Sequence, residues 1–203
     1  NERTTRVYNI LRTKDRQARE TRAEYNTNLA TKFEDIPQEY LFAKYFYIAT
    51  MPPVVQLDII RKLKENNPRV IIGADTIEQY ANLEETKRVF DLVDIAFIDK
   101  EFETLLNCNA KTKIIKLGKT GCILQEGEKN KRIYANVIDN VIDKTGAGDC
   151  LNGVFMNLLA NSYSKEDALQ KAVEIATISI KDFGILKIKE RLRKKLDCNE
   201  LEH

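Results

Sequence analysis

The sequence predicts an α/β fold, a mainly parallel sheet with helices on both faces. Two observations carry that prediction. Short runs rich in β-branched and aromatic residues alternate with segments of helical period, the pattern of a parallel sheet built from crossovers. Three of the predicted strands also end in a polar residue or a glycine: Asp75 after 69–74, Asp99 after 93–98, and Gly118 after 112–117. Ligands of such folds bind beyond the carboxyl ends of the strands, so these positions predict one functional rim.

The elements follow in order. Residues 5–12 alternate polar and apolar, as in a half-exposed strand, and 19–29 hold either a second edge strand or a loop. Asp35-Ile36-Pro37 reads as the start of a short helix, because the apolar run 44–50 must already be a buried strand. Pro52 and Pro53 open a helix to about Asn66, with Val55, Ile59 and Leu63 on one face. A strand at 69–74, a helix at 83–91, a strand at 93–98 and a short helix to Leu106 come next. Strands at 112–117, 121–125 and 131–138 precede a glycine-rich string. Ser164 to Asp167 resembles a capping box, opening a long helix to Asp182. A basic helix is expected at about 187–196.

The most informative stretch is Asp143-Lys144-Thr145-Gly146-Ala147-Gly148-Asp149. Leu151, Val154, Phe155, Leu158 and Leu159 then fall on one helical face. A helix must therefore begin within or just after the glycines. Its unpaired N–H groups and dipole make a site for an anion, most often phosphate. Gly148 is expected at positive φ, with its amide facing that anion. Asp149 falls in the first turn, placed to take a proton from a hydroxyl that attacks the phosphate. The plainer alternative is a glycine-rich turn with Asp149 as an ordinary helix-start residue.

The string D-K-T-G-A-G-D-C-L is similar to the D-T-T-G-A-G-D-x-F signature of ribokinase-like (phosphofructokinase B) small-molecule kinases, with Gly153 at a further family glycine. Lys144 stands for a threonine and Leu151 for the phenylalanine. Residues 112–122 resemble the family's T-L-G-x-x-G turn, with Lys116 for the threonine and Gly118 and Gly121 retained. Residues 93–106 resemble the segment around N-x-x-E, with Asp99 for the asparagine and Phe102 for the glutamate. Residues 164–184 resemble the helix that ends near a glycine, here Gly184, beside the adenine pocket.

The resemblance implies transfer of phosphate from ATP to a hydroxyl of a sugar or nucleoside. It implies Asp149 as general base and Gly146, Ala147 and Gly148 as amide donors to the transferring group. It further implies Lys116, Gly118, Gly121 and Gly184 on the nucleotide side. Glu101 or Glu103 would organise Mg2+ through water, both also being natural surface residues of a short helix. Asp143 and Thr145 match a monovalent-cation site in some members; alternatively Asp143 caps the turn through its side chain. Lys116 and Lys119 either neutralise phosphates or are exposed turn charges, the second reading being preferred for Lys119. The sugar-kinase pattern D-x-N-x-R is absent after Asp75, where Ile77 and Gln79 stand instead.

Family members carry, ahead of the matched region, a substrate-binding aspartate and a Gly-Gly pair that these 203 residues lack. The sequence is therefore expected to be the C-terminal part of such a kinase. Residues 1–35 would be a remnant of its β lid, 36–200 the nucleotide-binding and catalytic core, and 201–203 a tag scar. The rival reading is a non-catalytic nucleotide-binding regulator or partner subunit. A Rossmann dehydrogenase is disfavoured because no G-x-G-x-x-G follows the early strands.

Composition agrees with a globular domain: 43% hydrophobic and 32% charged residues, with a formal charge of +2. The balance gives no footprint of nucleic-acid binding, and no apolar run approaches membrane-spanning length. Cys108, Cys122, Cys150 and Cys198 show no metal-ligand spacing, and the one histidine is His203. Free thiols in a cytoplasmic protein are expected. Cys150 adjoins the expected base but has no histidine to activate it, so it reads as a packing residue. A homodimer is the candidate assembly.

Overall fold

The computed structural model describes residues 6–11, 19–24 and 31–184; of the first two segments it describes the backbone. β1 (Arg6–Leu11) and β2 (Arg19–Glu24) form an antiparallel pair in a two-stranded sheet, with Arg6 opposite Glu24. The basic segment 187–196, Cys198 and residues 201–203 lie outside the described residues.

The second sheet has six strands in sequential order: β3 (Tyr45–Ile48), β4 (Ile71–Ala74), β5 (Ile95–Asp99), β6 (Thr112–Lys116), β7 (Cys122–Glu126) and β8 (Lys129–Ile133). β3 to β6 are parallel, and β6 to β8 are antiparallel. Helix α1 (Pro53–Asn66) connects β3 to β4, and α2 (Glu78–Ala81) and α3 (Glu84–Leu92) connect β4 to β5. The tail supplies α4 (Ala147–Ala160) and α5 (Lys165–Ser179). Ser164 caps α5 by accepting from the Asp167 amide.

Alternation along the strands divides the core in two. Ile48, Ile72, Ala74 and Ile98 pack with Ile60 and Leu63 of α1 and Val89 and Phe90 of α3. Ile95, Phe97, Ile114 and Leu124 face Phe155 and Met156 of α4 and Leu169 and Val173 of α5. Cys108 belongs to the first cluster and Cys122 to the second. Gly73 lets α4 approach the sheet: a Cβ there would sit 2.9 Å from the Met156 sulfur and 3.0 Å from the Phe97 ring. Helices on both faces of a mostly parallel sheet are thus as expected.

Four local expectations are corrected. The run at Asp35-Ile36-Pro37 is two 3-10 turns, Phe33–Asp35 and Gln38–Phe42, because Pro37 has no amide to continue the first. The four-residue α2 lies where no helix was expected. The last strand is Lys129–Ile133 rather than 131–138; Ala135 still packs against the second cluster, but Tyr134 and Val137 are exposed and face no sheet. The long helix stops at Ser179, short of Asp182.

Candidate active site

The sheet's C-terminal edge gathers three charged side chains. Asp75 follows β4, Asp99 ends β5 and Lys116 ends β6. Parallel register puts these ends side by side, with Asp99 directly opposite Lys116. The Lys116 Nζ lies 3.1 and 3.0 Å from the two Asp75 carboxylate oxygens and 3.4 Å from Asp99 Oδ2. Side-chain exposure is 11% for Lys116, 7% for Asp75 and 39% for Asp99.

A buried ammonium is held charged only by such partners. Burial alone would lower the Lys116 pKa, but Asp75 and Asp99 together raise it. Burial raises the Asp99 carboxyl, and the Asp75 charge adds to that, while Lys116 opposes both. Asp75 also accepts from the Thr76 amide at 2.7 Å and from Asn152 Nδ2 at 2.6 Å. Gln56 of α1, fully buried, donates to the carbonyls of Ala49 and Asp75 at 3.1 and 3.0 Å. It thereby ties the ends of β3 and β4.

The glycine-rich string forms the N-terminus of α4 beside this group. Gly146 is the N-cap, left-handed at φ 76°, which favours glycine. Ala147, Gly148 and Asp149 are the first three helical residues. The expected positive φ thus belongs to Gly146 rather than Gly148, because Gly148 is already inside the helix. A Cβ on Gly148 would meet only the Lys116 Nζ, at 3.7 Å. Lys116 therefore lies against the first turn of α4, close to the expected anion cradle. It is not an exposed turn charge, whereas Lys119 is exposed.

Asp149 is exposed in that first turn, and Tyr47 of β3 packs edge to face on Phe97 with ring centroids 5.7 Å apart. Tyr47 also accepts from Asn152 Nδ2 at 3.0 Å. Burial, then the Asp75 charge, raises the Tyr47 pKa well above the usual phenol value. Tyr47 and Asn152 were missed in the sequence. Asn152 did leave a signal: a polar residue one turn after Asp149, beside the apolar stripe of α4. Tyr47 read as an ordinary strand aromatic.

The other expected residues are placed as follows. Asp143 Oδ1 accepts from the Thr145 amide at 2.9 Å, the local capping arrangement. Gly118 and Gly121 flank a 3-10 turn after β6, at φ 61° and 99°. Gly121 admits no side chain, since a Cβ would lie 2.0 Å from the Ile133 carbonyl oxygen. Gly184, at φ 60°, follows α5 and the exposed Phe183. Glu101 is exposed and pairs with Lys100 at 3.8 Å. Glu103 opens the 3-10 turn Glu103–Leu105. Phe102 packs against the first core cluster. A cavity of about 400 Å3 opens between Glu78, Asn82, Asp99, Glu101 and Phe102. Among the described cysteines, Cys108, Cys122 and Cys150 are free thiols, and burial pushes Cys122 up to about 12. No described helix is long and apolar enough to cross a membrane.

Comparison with known proteins agrees with this architecture. The pfkB carbohydrate kinase family model matches residues 1–188, and the chain belongs to that family. It is 26% identical over 166 residues to a cytidine kinase of Thermococcus kodakarensis, covering 73% of this chain and 59% of the relative. It is 35% identical over 88 residues to a ribokinase of Lactococcus lactis, covering 43% of this chain and 29% of that protein. Among solved structures, adenosine kinase from Sinorhizobium meliloti superposes with a TM-score of 0.77 at 18% identity, over 96% of this chain and 67% of the other. A Burkholderia thailandensis nucleoside kinase in complex with inosine gives 0.74 at 14% identity, over 89% and 62%. These superpositions establish the ribokinase-like fold. The chain spans between about three tenths and six tenths of the length of these two curated relatives.

Proposed function

We propose that this chain is the nucleotide-binding and phosphoryl-transfer part of a kinase that moves the γ-phosphoryl group of ATP to a hydroxyl of a sugar or nucleoside. The observation that carries the reading is the N-terminus of α4. A left-handed Gly146, the first-turn amides, of which that of Ala147 donates to the Lys144 carbonyl at 3.2 Å, and the exposed carboxylate of Asp149 lie together, with the Lys116 ammonium beside Gly148. Asp149 takes the proton of the attacking hydroxyl. The hydroxyl oxygen bonds to the γ-phosphorus as the bond to the bridging oxygen of ADP breaks. The amides of Gly146, Ala147 and Gly148 hold the charge on the transferring oxygens, and Lys116 adds a fixed positive charge. Gly118, Gly121 and Gly184 shape the nucleotide side. The strands β1 and β2 belong to the lid proposed for residues 1–35.

Magnesium fits the half-exposed Asp99 and the exposed Glu101, which share the cavity beyond β5. It keeps several waters and takes few protein ligands, so no protein cage is needed. It supplies neutralisation of the nucleotide phosphates. For a monovalent cation at Asp143 and Thr145, potassium dependence of ADP binding is the test. The rival reading, a nucleotide-binding regulator, has one observation in its favour. Phe102 fills an apolar contact where the resembled pattern has a glutamate.

The test combines calorimetry with ADP and a turnover assay over a panel of sugars and nucleosides. ADP binding is expected for the chain, and Asp149→Asn is expected to keep it. In a protein that turns over, the same substitution should lower kcat by about 10²–10⁴. Near-native turnover by Asp149→Asn would refute the base assignment, and binding with no turnover on any acceptor would favour the regulator.

A further inference from the structure

A closed ring of contacts joins the start of α4 to the end of β6. Gly148 and Asn152 are four residues apart on α4, hence on one face. Asn152, wholly buried, approaches Asp75 Oδ2 at 2.6 Å and the Tyr47 oxygen at 3.0 Å with the same amide atom. That atom must be nitrogen, because the flipped amide would set its carbonyl oxygen against the carboxylate with no proton between them. Asp75 Oδ1 accepts from the Thr76 amide at 2.7 Å. The Lys116 ammonium, a donor only, spans the two carboxylate oxygens at 3.1 and 3.0 Å. Each Asp75 oxygen thus meets two donors, which fills the roughly four acceptor sites of a carboxylate. The group cannot turn without leaving a buried donor unpaired. Asp99, half exposed and 3.4 Å from the same ammonium, is the looser partner. The ring closes where the Lys116 Nζ lies 3.7 Å from the position a Gly148 Cβ would take.

We propose that Asp75 and Asn152 are positioning residues for Lys116: Asn152 and the Thr76 amide lock the Asp75 carboxylate, which holds the ammonium against the first turn of α4, where a nucleotide phosphate would meet it. The role rests on the nucleotide-site reading above, whereas the hydrogen bonds do not. A lysine ammonium rides on a flexible four-carbon stem, and ordering it at the moment of binding would weaken the complex. Here the ordering is complete in the folded chain, so the charge is in place before the anion arrives. Asn152 belongs to the helix that carries the amides, and Asp75 follows a strand of the sheet that carries Lys116. Their bond therefore also sets the spacing between the amides and the ammonium.

The experiment measures ADP affinity by calorimetry for the native chain, Asn152→Leu, Lys116→Met and the double variant. Leucine keeps about the volume of asparagine and removes the donor. Lys116→Met should weaken ADP binding about 10- to 100-fold, the range for one charged hydrogen bond, and Asn152→Leu by a smaller factor. In the double variant Asn152→Leu should add nothing, because it acts through Lys116. Additive losses, or no loss in either single variant, would overturn the proposal. A native chain that binds no ADP would sink the nucleotide reading and this role together, whereas additive losses sink this role alone. A second readout needs neither nucleotide nor Lys116→Met: the scalar coupling across the hydrogen bond between Lys116 Nζ and the Asp75 carboxyl carbon. It should be present in the native chain and smaller in Asn152→Leu. Its absence from the native chain, or equal values in the two proteins, would overturn the proposal even if Lys116→Met does not fold. An Asn152 that serves packing alone would lower the melting temperature and leave coupling and ADP affinity unchanged.

Discussion

Replacing Lys116 by methionine would leave Asp75 buried without its counter-ion. Breaking a buried pair from one side costs about 3–5 kcal/mol. Asp75 would retain donors from Thr76 and Asn152, so the lower end of that range is expected in urea denaturation. The pH dependence has a definite sign. The folded-state pKa of Lys116 is raised, so its stabilisation is complete below the ordinary lysine value of about 10.4 and is lost as pH climbs through the raised one. Lys116→Met should therefore flatten the alkaline arm of the stability curve. Asp99 shifts stability in the same direction with pH, through a charged form that destabilises. Its raised pKa means the folded chain binds a proton more readily, so the charged group weakens the fold above the ordinary aspartate range, and that cost fades as pH falls through the raised value. Two glycines of the cradle should also behave differently. Gly146→Val forces a β-branched residue into the left-handed region, at a cost of roughly 1–2 kcal/mol or more. Gly148→Val meets no backbone strain and only the end of Lys116 at 3.7 Å. It should lose more ADP affinity than melting temperature. The reverse ranking, measured by calorimetry and thermal melts, would place Gly148 in packing rather than in the cradle.

Among the elements, the junction of β3, β4 and α1 rests on Gln56, whose amide donates to two carbonyls at the strand ends. Gln56→Leu keeps the volume and removes both donors. A buried carbonyl left unpaired costs about 1–3 kcal/mol. A loss of that order, with faster hydrogen exchange in residues 71–76, is expected. Elements of clear period were legible in the sequence: α1, β5 and α4 fall within a residue or two of expectation. α2 has too few residues to display a period. Beyond β8, Tyr134, Val137 and Ile138 are strand-forming residue types, yet side-chain type alone does not reveal that the partner strand has ended. At the candidate site, the glycine string and Asp149 were legible because their spacing is local. The Lys116–Asp75 pair spans 41 positions, and no local pattern announces it. Asn152 and Tyr47 are 105 residues apart, so their contact is likewise announced by no local pattern.

At the scale of the whole molecule, the six-stranded sheet has an apolar layer on each side, and each layer contains a single buried described thiol. Cys108 belongs to the layer formed with α1 and α3, and Cys122 to the layer formed with α4 and α5. Both thiol pKa values are raised, chiefly by burial, so neither reacts from the closed state at neutral pH. Alkylation then requires opening, and its rate reports the opening free energy of the layer that holds the thiol. The chain thus carries two built-in clocks, one per layer, readable by mass spectrometry without any introduced probe. Added ADP makes them diverge. A nucleotide seated at the start of α4 would slow the labelling of Cys122 in proportion to its occupancy and leave that of Cys108 nearly unchanged. Equal slowing of both would mean that the two layers open only together, as one cooperative unit.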